Sequence, residues 1–185
     1  MTLVEQIDGD VRSLELYFAK LFDLLREPSE APGPPLSGDV FVAHTYTQFV
    51  RPDMISNVYS LLDFWLNRTC ELATKWRRLG LTHKDIKGSD DLDSRHKFLT
   101  KVAGLDLIRV TSSYQHLDVL RETRNCLLHA GGHASSRLTA RLQTIPDIGV
   151  FGGLVTIGDG FIWTSLKHVR TYLAAVANDL EAAAT

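Results

Sequence analysis

The sequence has little cysteine, no long apolar run and no strong excess of either charge. Cys70 and Cys126 both lie within helical patterns, which indicates buried free thiols in a reducing compartment rather than a disulfide framework or zinc ligands. No apolar stretch approaches the roughly 18 residues of a membrane helix, and the acidic start MTLVEQIDGD is unlike a signal peptide. We therefore expect a cytoplasmic protein with no membrane segment.

The weak net charge also restricts the partners that the sequence favours. A formal net charge of -2 provides no general field for a polyanion, which counts against tight, extended nucleic-acid binding. A length of 185 residues, with 44% hydrophobic and 23% charged residues, is typical of one soluble globular domain. The sequence therefore predicts a single domain over residues 1–185.

Apolar residues at helical spacing account for most of the chain. They recur in steps of three and four from Val4 to Leu25, after which the Pro/Gly-rich segment 28–38 predicts a loop and 39–50 stays ambiguous. Pro52 suits the first turn of a second long helix. A polar loop at 80–91 separates that helix from a shorter one near 92–103. The predicted inward residues of the two helices are Ile55, Val58, Leu62, Trp65, Leu72, Trp76, Phe98, Leu99 and Val102.

The last third of the chain predicts two more helices and a hairpin. One helix begins near Ser112 or Ser113, either of which could cap it, and ends at Gly131 and Gly132. The β-rich runs of 154–164 surround Gly158-Asp159-Gly160, which predicts a hairpin turn. The final helix places these residues inward: Leu166, Val169, Leu173, Val176 and Leu180. The tryptophans at 65, 76 and 163 lie on apolar stripes and are expected to be core residues. The expected fold is mainly α, an up-down bundle of four to five helices with one small β-hairpin before the C-terminal helix.

RETRNCLLHAGG (121–132) breaks the apolar pattern. The stripe through Leu117 and Leu120 predicts an apolar residue at position 124, where the sequence has Arg124. Arginine is almost never fully buried without a partner, because removing it from water costs several kcal/mol. We therefore expect Arg124 at an interface, in a cleft, or beside an acid. Asp63 is a candidate partner for Arg121 or Arg124.

Three polar residues share a neighbouring face of the same helix, namely Arg121, Asn125 and His129 at i, i+4 and i+8. Carbonyl groups at the helix end favour a cationic imidazole, which can exchange protons with a hydroxyl group, while arginine holds a phosphate in a bidentate fork. His133 lies four residues after His129, but the intervening glycines disfavour a metal pair and no third ligand is evident. We predict catalytic roles for Arg124, Asn125 and His129, substrate contacts for Arg121 and His133, and no metal or other cofactor.

Arg124-Asn125-x-x-x-His129, at the end of a late helix and followed by Gly-Gly, resembles the signature of the HEPN superfamily, Arg-x(4 to 6)-His with Asn often beside the Arg. The segment 54–72, with Asp63 near its middle, is similar to that family's long second helix. The segment 97–106 and a hairpin leading into a terminal helix are also similar. The resemblance covers roughly residues 50–183, and only the Arg/Asn/His motif is specific.

The resemblance implies a homodimer in which two motif helices form a shared Arg/His pocket. It implies a metal-independent endoribonuclease, a toxin or phage-defence effector, in which a ribose 2′-hydroxyl attacks the adjacent phosphate and leaves a cyclic phosphate. An antitoxin or nucleotidyltransferase is an expected partner. Two alternatives stay open: a non-catalytic dimeric module that binds a nucleotide or a partner protein, and a structural helical partner with Arg124 in a salt bridge.

Overall fold

The computed structural model describes residues 1–26 and 46–182, and these residues form a mainly α fold. The predicted loop 28–38 and residues 39–45 of the ambiguous segment lie outside this range. The α-helices are α1 (Leu3–Arg26), α2 (Arg51–Trp76), α3 (Asp91–Lys97), α4 (Thr111–His129), α5 (Ser136–Leu142) and α6 (Asp159–Ala182). Strands β1 (Ile148–Phe151) and β2 (Leu154–Ile157) pair antiparallel just before α6. The predicted fold class is confirmed, and the short helix α5 is an addition to the expected set.

The C-terminal helix α6 lies at the centre of the core and packs against α1, α2 and α4. Its apolar residues follow the predicted spacing, and all five that the sequence placed inward are buried. The facing sides of α1 and α2 are buried as well, at these residues: Ile7, Val11, Phe18, Ile55, Val58, Leu62 and Trp65. Pro52 lies in the first turn of α2, as predicted. Within the described residues, every helix is too short or too polar to serve as a transmembrane segment.

Two of the three tryptophans depart from the expected core positions. Trp65 is buried and donates its indole N–H to Asp10 at 3.0 Å. Trp76 and Trp163, in contrast, are 39% and 36% exposed. Trp76 is the last residue of α2, and Trp163 lies at the edge of the bundle, where its ring contacts Phe22 with 5.4 Å between centroids. The core prediction is therefore wrong for these two residues.

The hairpin is present, but its turn lies earlier than predicted. Gly152 and Gly153 form the turn with φ angles of +57° and +83°, a region that favours glycine. Gly158 and Gly160 instead flank the start of α6, where a side chain at either position would collide with Asp147. The glycines around Asp159 are thus explained by a close approach to Asp147, and the predicted turn at this point is wrong.

The start of α4 also differs from the prediction. The helix begins at Thr111 after a 3₁₀ turn, and no serine side chain caps it. Ser113 is buried and its hydroxyl meets Nδ1 of His168 on α6 at 3.0 Å. The predicted cap at Ser112 or Ser113 is therefore wrong, because Ser113 serves the contact between helices.

A pair of stacked imidazoles joins α4 to α6. The rings of His116 and His168 lie 4.3 Å apart at 25°. Each ring meets a serine of the opposite helix, since Nε2 of His116 is 3.0 Å from the Ser165 hydroxyl and His168 meets Ser113. Ser-x-x-His occurs once on each helix, so the two contacts are reciprocal.

Candidate functional site

The motif helix α4 ends in a structured junction with the hairpin. Gly131 and Gly132 adopt φ angles of +56° and +83°, and the Gly132 amide donates to the Cys126 carbonyl at 3.0 Å. The Gly132 carbonyl in turn accepts from the Val155 amide at 2.9 Å. The predicted glycine terminator therefore ends the helix and also fixes it to β2.

The row of buried residues along α4 does not include Arg124. Leu117 and Leu120 are buried as expected, but the next buried residue is Thr123, and Arg124 is only half-buried. Successive residues of a helix point about 100° apart, so a core line at Thr123 turns Arg124 towards the edge of the bundle. Arg124 thus lies in a cleft, one of the surroundings expected for it.

The cleft is bounded by α2, α4 and the start of α3, and it has a volume of about 1050 Å³. Its lining is rich in charge, with four arginines and four Asp or Glu residues. The lining residues used below are Tyr59, Asp63, Phe64, Arg95, Arg121, Arg124 and Asn125.

Arg124 is held in this cleft without a carboxylate partner among the described residues. Its guanidinium carbon lies 5.6 Å from the centroid of the Tyr59 ring, and Nη1 donates to Oδ1 of Asn125 at 3.1 Å. Nε is buried and has no hydrogen-bond acceptor in the described part of the chain. Burial, and then the nearby Asp63 carboxylate, raises the pKa of Tyr59 to about 12, so the phenol supplies no negative charge at neutral pH. The cleft therefore contains a guanidinium that has no ion pair among the described residues.

The other arginines of the cleft are paired with acids. Arg95 binds Asp63 with 2.5 Å between Nη1 and Oδ1, and its side chain is 12% exposed. The predicted pairing of Asp63 with Arg121 or Arg124 is wrong, because Arg95 on α3 reaches it across the cleft. Arg68 lies 3.8 Å from Glu71 on the same helix. Arg124 differs from these arginines in having no acid partner within residues 1–26 and 46–182.

Arg121 belongs to an internal ion-pair network. Its Nη2 lies 2.8 Å from Asp118 and 3.1 Å from Asp90, and Arg141 of α5 binds Asp118 from the other side at 2.8 Å. Burial alone would raise the pKa of the Asp118 carboxyl, but hydrogen bonds from Arg121 and Arg141 outweigh burial and hold this pKa below its usual value. Arg121 therefore lines the cleft with most of its charge already compensated.

His129 is exposed and does not line the cleft. Five residues of α-helix turn through 500°, so His129 points about 140° away from Arg124 around the axis of α4. No hydrogen bond or ion pair from the described part of the chain reaches its ring. One copy of the chain therefore brings Arg121, Arg124 and Asn125 together and leaves His129 apart from them.

His133 belongs to a second, smaller cavity. It is exposed, its backbone pairs with Leu154, and it lines a cavity of about 310 Å³ together with Arg121, Asn125 and Arg137. Arg121 and Asn125 line both cavities, so the two cavities adjoin across α4. In the described ranges no group of three or more His, Cys, Asp or Glu side chains is arranged to hold a metal ion.

Sequence reasoning missed Tyr59, Phe64 and Arg95. Tyr59 and Phe64 are each adjacent to a residue of the apolar stripe of α2, so periodicity alone gave them no role distinct from the core. Asp63 on α2 and Arg95 on α3 lie 32 positions apart in the sequence, and no local pattern indicates that they are in contact. No protein-family model, curated protein or solved structure matches the chain.

Proposed function

We propose that the protein is a metal-independent endoribonuclease of the HEPN type, a toxin or phage-defence effector that acts as a homodimer. The proposal depends most on Arg124, a cation that shares its cleft with ion-paired arginines and has no acid partner of its own in the described residues. An RNA phosphate supplies the missing negative charge. Asn125 supports this role, because its carbonyl oxygen positions the guanidinium and its amide group adds a donor at the same place.

The chemistry requires a phosphate ligand and proton transfer. Arg124 holds the non-bridging oxygens of the phosphate in a bidentate contact and stabilises the charge that develops on them. The 2′-oxygen forms a bond to phosphorus while the bond from phosphorus to the 5′-oxygen breaks. The His129 imidazole of the second copy accepts the 2′ proton and then transfers it to the departing 5′-oxygen, so the products are a cyclic phosphate and a 5′-hydroxyl.

A second copy of the chain supplies the geometry that one copy does not have. Arg124 and His129 diverge by about 140° within α4, so an imidazole must approach the bound phosphate from another chain. Large apolar side chains are exposed around the end of α4, at Leu128 and, on the hairpin, at Phe151. These residues provide apolar area for contact between two copies, next to the exposed His129.

The alternative function is a non-catalytic dimeric module that binds a nucleotide or a partner protein such as an antitoxin or a nucleotidyltransferase. One observation favours it, namely that His129 does not line the cleft that contains Arg124. In this case Arg124 and Asn125 bind a phosphate group and no bond is broken.

Cleavage of single-stranded RNA in the presence of a chelator, with analysis of the new ends, tests the proposal. The wild-type protein is expected to be a dimer by light scattering and to leave cyclic phosphate ends. His129→Ala should lower the cleavage rate at least about 100-fold while RNA binding persists. Arg124→Met should weaken binding and cleavage together.

Two matched controls accompany these variants. His83→Ala, on the polar loop, and Arg12→Met, exposed on α1, should cleave like the wild type. Cleavage that persists undiminished in His129→Ala, or that disappears with the chelator, contradicts the proposed mechanism. Binding without any cleavage by the wild type supports the alternative.

A further inference from the structure

Phe64 is the exposed aromatic residue in the lining of the large cleft. It lies on α2 and is 58% exposed, whereas Tyr59 is buried and the other lining side chains, including Asp63 and Asn67, are polar or charged. Its ring meets the buried Trp65 in an edge-to-face contact with 5.3 Å between centroids and 80° between planes. This contact supports Phe64 from one side and leaves most of the ring open to solvent. The cleft thus presents an aromatic face beside charged groups.

The charges of the cleft cannot account for tight binding of an extended polyanion. Four arginines are balanced by four Asp or Glu residues, and of these four arginines only Arg124 lacks an ion pair within the described part of the chain. Each phosphate contact adds a limited, salt-dependent increment to affinity. An RNA strand bound here therefore gains one strong phosphate contact, and the rest of its affinity must come from an interaction that is not electrostatic.

An exposed aromatic ring provides such a contact by stacking on a nucleobase, which contributes roughly 5- to 150-fold in affinity per base. A base in a duplex already stacks on its neighbours, so its face is not accessible to a side chain. Sequence-tolerant recognition of RNA therefore uses unpaired bases of loops and single strands. Phe64 on α2 and Arg124 on α4 line the same cleft. The ring of Phe64 is suited to a base and the guanidinium of Arg124 to a phosphate.

We propose that Phe64 is a stacking platform for one unpaired RNA base, and that Arg124 takes a phosphate of the same strand, so that the cleft selects single-stranded over duplex RNA. This inference rests on the proposed function, because it names the class of RNA that reaches the site.

Fluorescence anisotropy with a labelled oligoribonucleotide tests the inference, using the same strand alone, annealed to its complement, or made with abasic positions. The background is His129→Ala, which prevents cleavage during the measurement. We expect the single strand to bind at least tenfold more tightly than the duplex. Phe64→Ala should weaken single-strand binding roughly 5- to 150-fold, and Phe64→Trp should restore it. The abasic strand should bind with equal affinity to Phe64→Ala and to the parent protein, which carries only His129→Ala.

Tyr17→Ala is the matched control, because Tyr17 is a half-exposed aromatic residue on α1, away from the cleft. It should leave RNA affinity unchanged.

Equal single-strand affinity of Phe64→Ala and the parent protein, or a preference for the duplex, overturns the inference. If Arg124→Met loses binding while Phe64→Ala keeps it, the stacking role fails and the proposed function stands. If the parent protein binds none of the RNAs, both fail. Loss of the dimer in Phe64→Ala also overturns the inference, since the ring would then belong to the contact between copies.

Discussion

Acidification is expected to destabilise the protein through His116, the imidazole that stacks on His168 between α4 and α6. Burial, and then the proximity of His168, lowers the pKa of His116 from 6.5 to about 4. The folded protein therefore favours the neutral ring, whereas the unfolded chain accepts a proton near pH 6.5. The stabilisation from this difference is fully present above the unfolded pKa and is lost as the pH falls from 6.5 towards 4.

The size of the effect follows from the two pKa values. Each unit of difference corresponds to about 1.4 kcal/mol, so the full loss below pH 4 is roughly 3 kcal/mol. Between pH 7.5 and pH 5 the proton taken up by the unfolded chain lowers the free energy of unfolding by about 2 kcal/mol. Burial also lowers the pKa of His96 and of His168, and Lys167 contributes at His168, so both residues add to the same trend.

Urea denaturation at several pH values measures the effect as a difference between variants. His116→Gln keeps a polar group near the Ser165 hydroxyl but removes the titration, so its loss of stability from pH 7.5 to pH 5 should be about 2 kcal/mol smaller than that of the wild type. Ser165→Ala is the control, because it removes the hydrogen-bond partner and retains the imidazole. Equal pH dependence of wild type and His116→Gln would refute the reasoning.

Three further predictions concern stability. Arg121→Met should lower the free energy of unfolding by roughly 3 kcal/mol in urea, because it leaves the half-buried Asp90 without its cation and Asp118 with Arg141 alone. Arg137→Met, at a side chain 78% exposed, should change it by less than about 0.5 kcal/mol, and similar effects of the two variants would contradict the network. Trp65→Phe should cost about 1 kcal/mol in thermal denaturation by removing the N–H donated to Asp10, and zero coupling in a double-mutant cycle with Asp10→Ala argues against this bond. Gly132→Ala should cost about 1 to 2 kcal/mol, since φ is +83° there, and an unchanged Tm contradicts the strain.

Local patterns predicted the helices well, and tertiary contacts decided the details. The inward residues of α6 follow from their spacing alone, because a helix buries one face whatever its neighbours are. The hairpin turn was misplaced because Gly158-Asp159-Gly160 carries the same local signature as a true turn. Only the approach of Asp147, which the sequence does not indicate, explains why glycine occurs at those positions.

The candidate site was predictable in part. The sequence indicated that Arg124 needs a special environment, and the structure places it in a cleft with Asn125. The choice between positions 123 and 124 for the core was not predictable, since a helical repeat of 3.6 residues allows a step of three or four after Leu120. The role of Phe64 was hidden for a similar reason, because an aromatic residue beside an apolar stripe looks like part of the core.

The central position of α6 has a consequence for how the chain is made. The ribosome completes α1, α2 and α4 before it synthesises the helix that all three contact. Until α6 emerges, the nascent helices expose the apolar faces that it will later cover, and such intermediates are prone to aggregate. Chaperones that bind nascent chains are therefore expected to engage this protein before α6 emerges, and polypeptides truncated before α6 should aggregate.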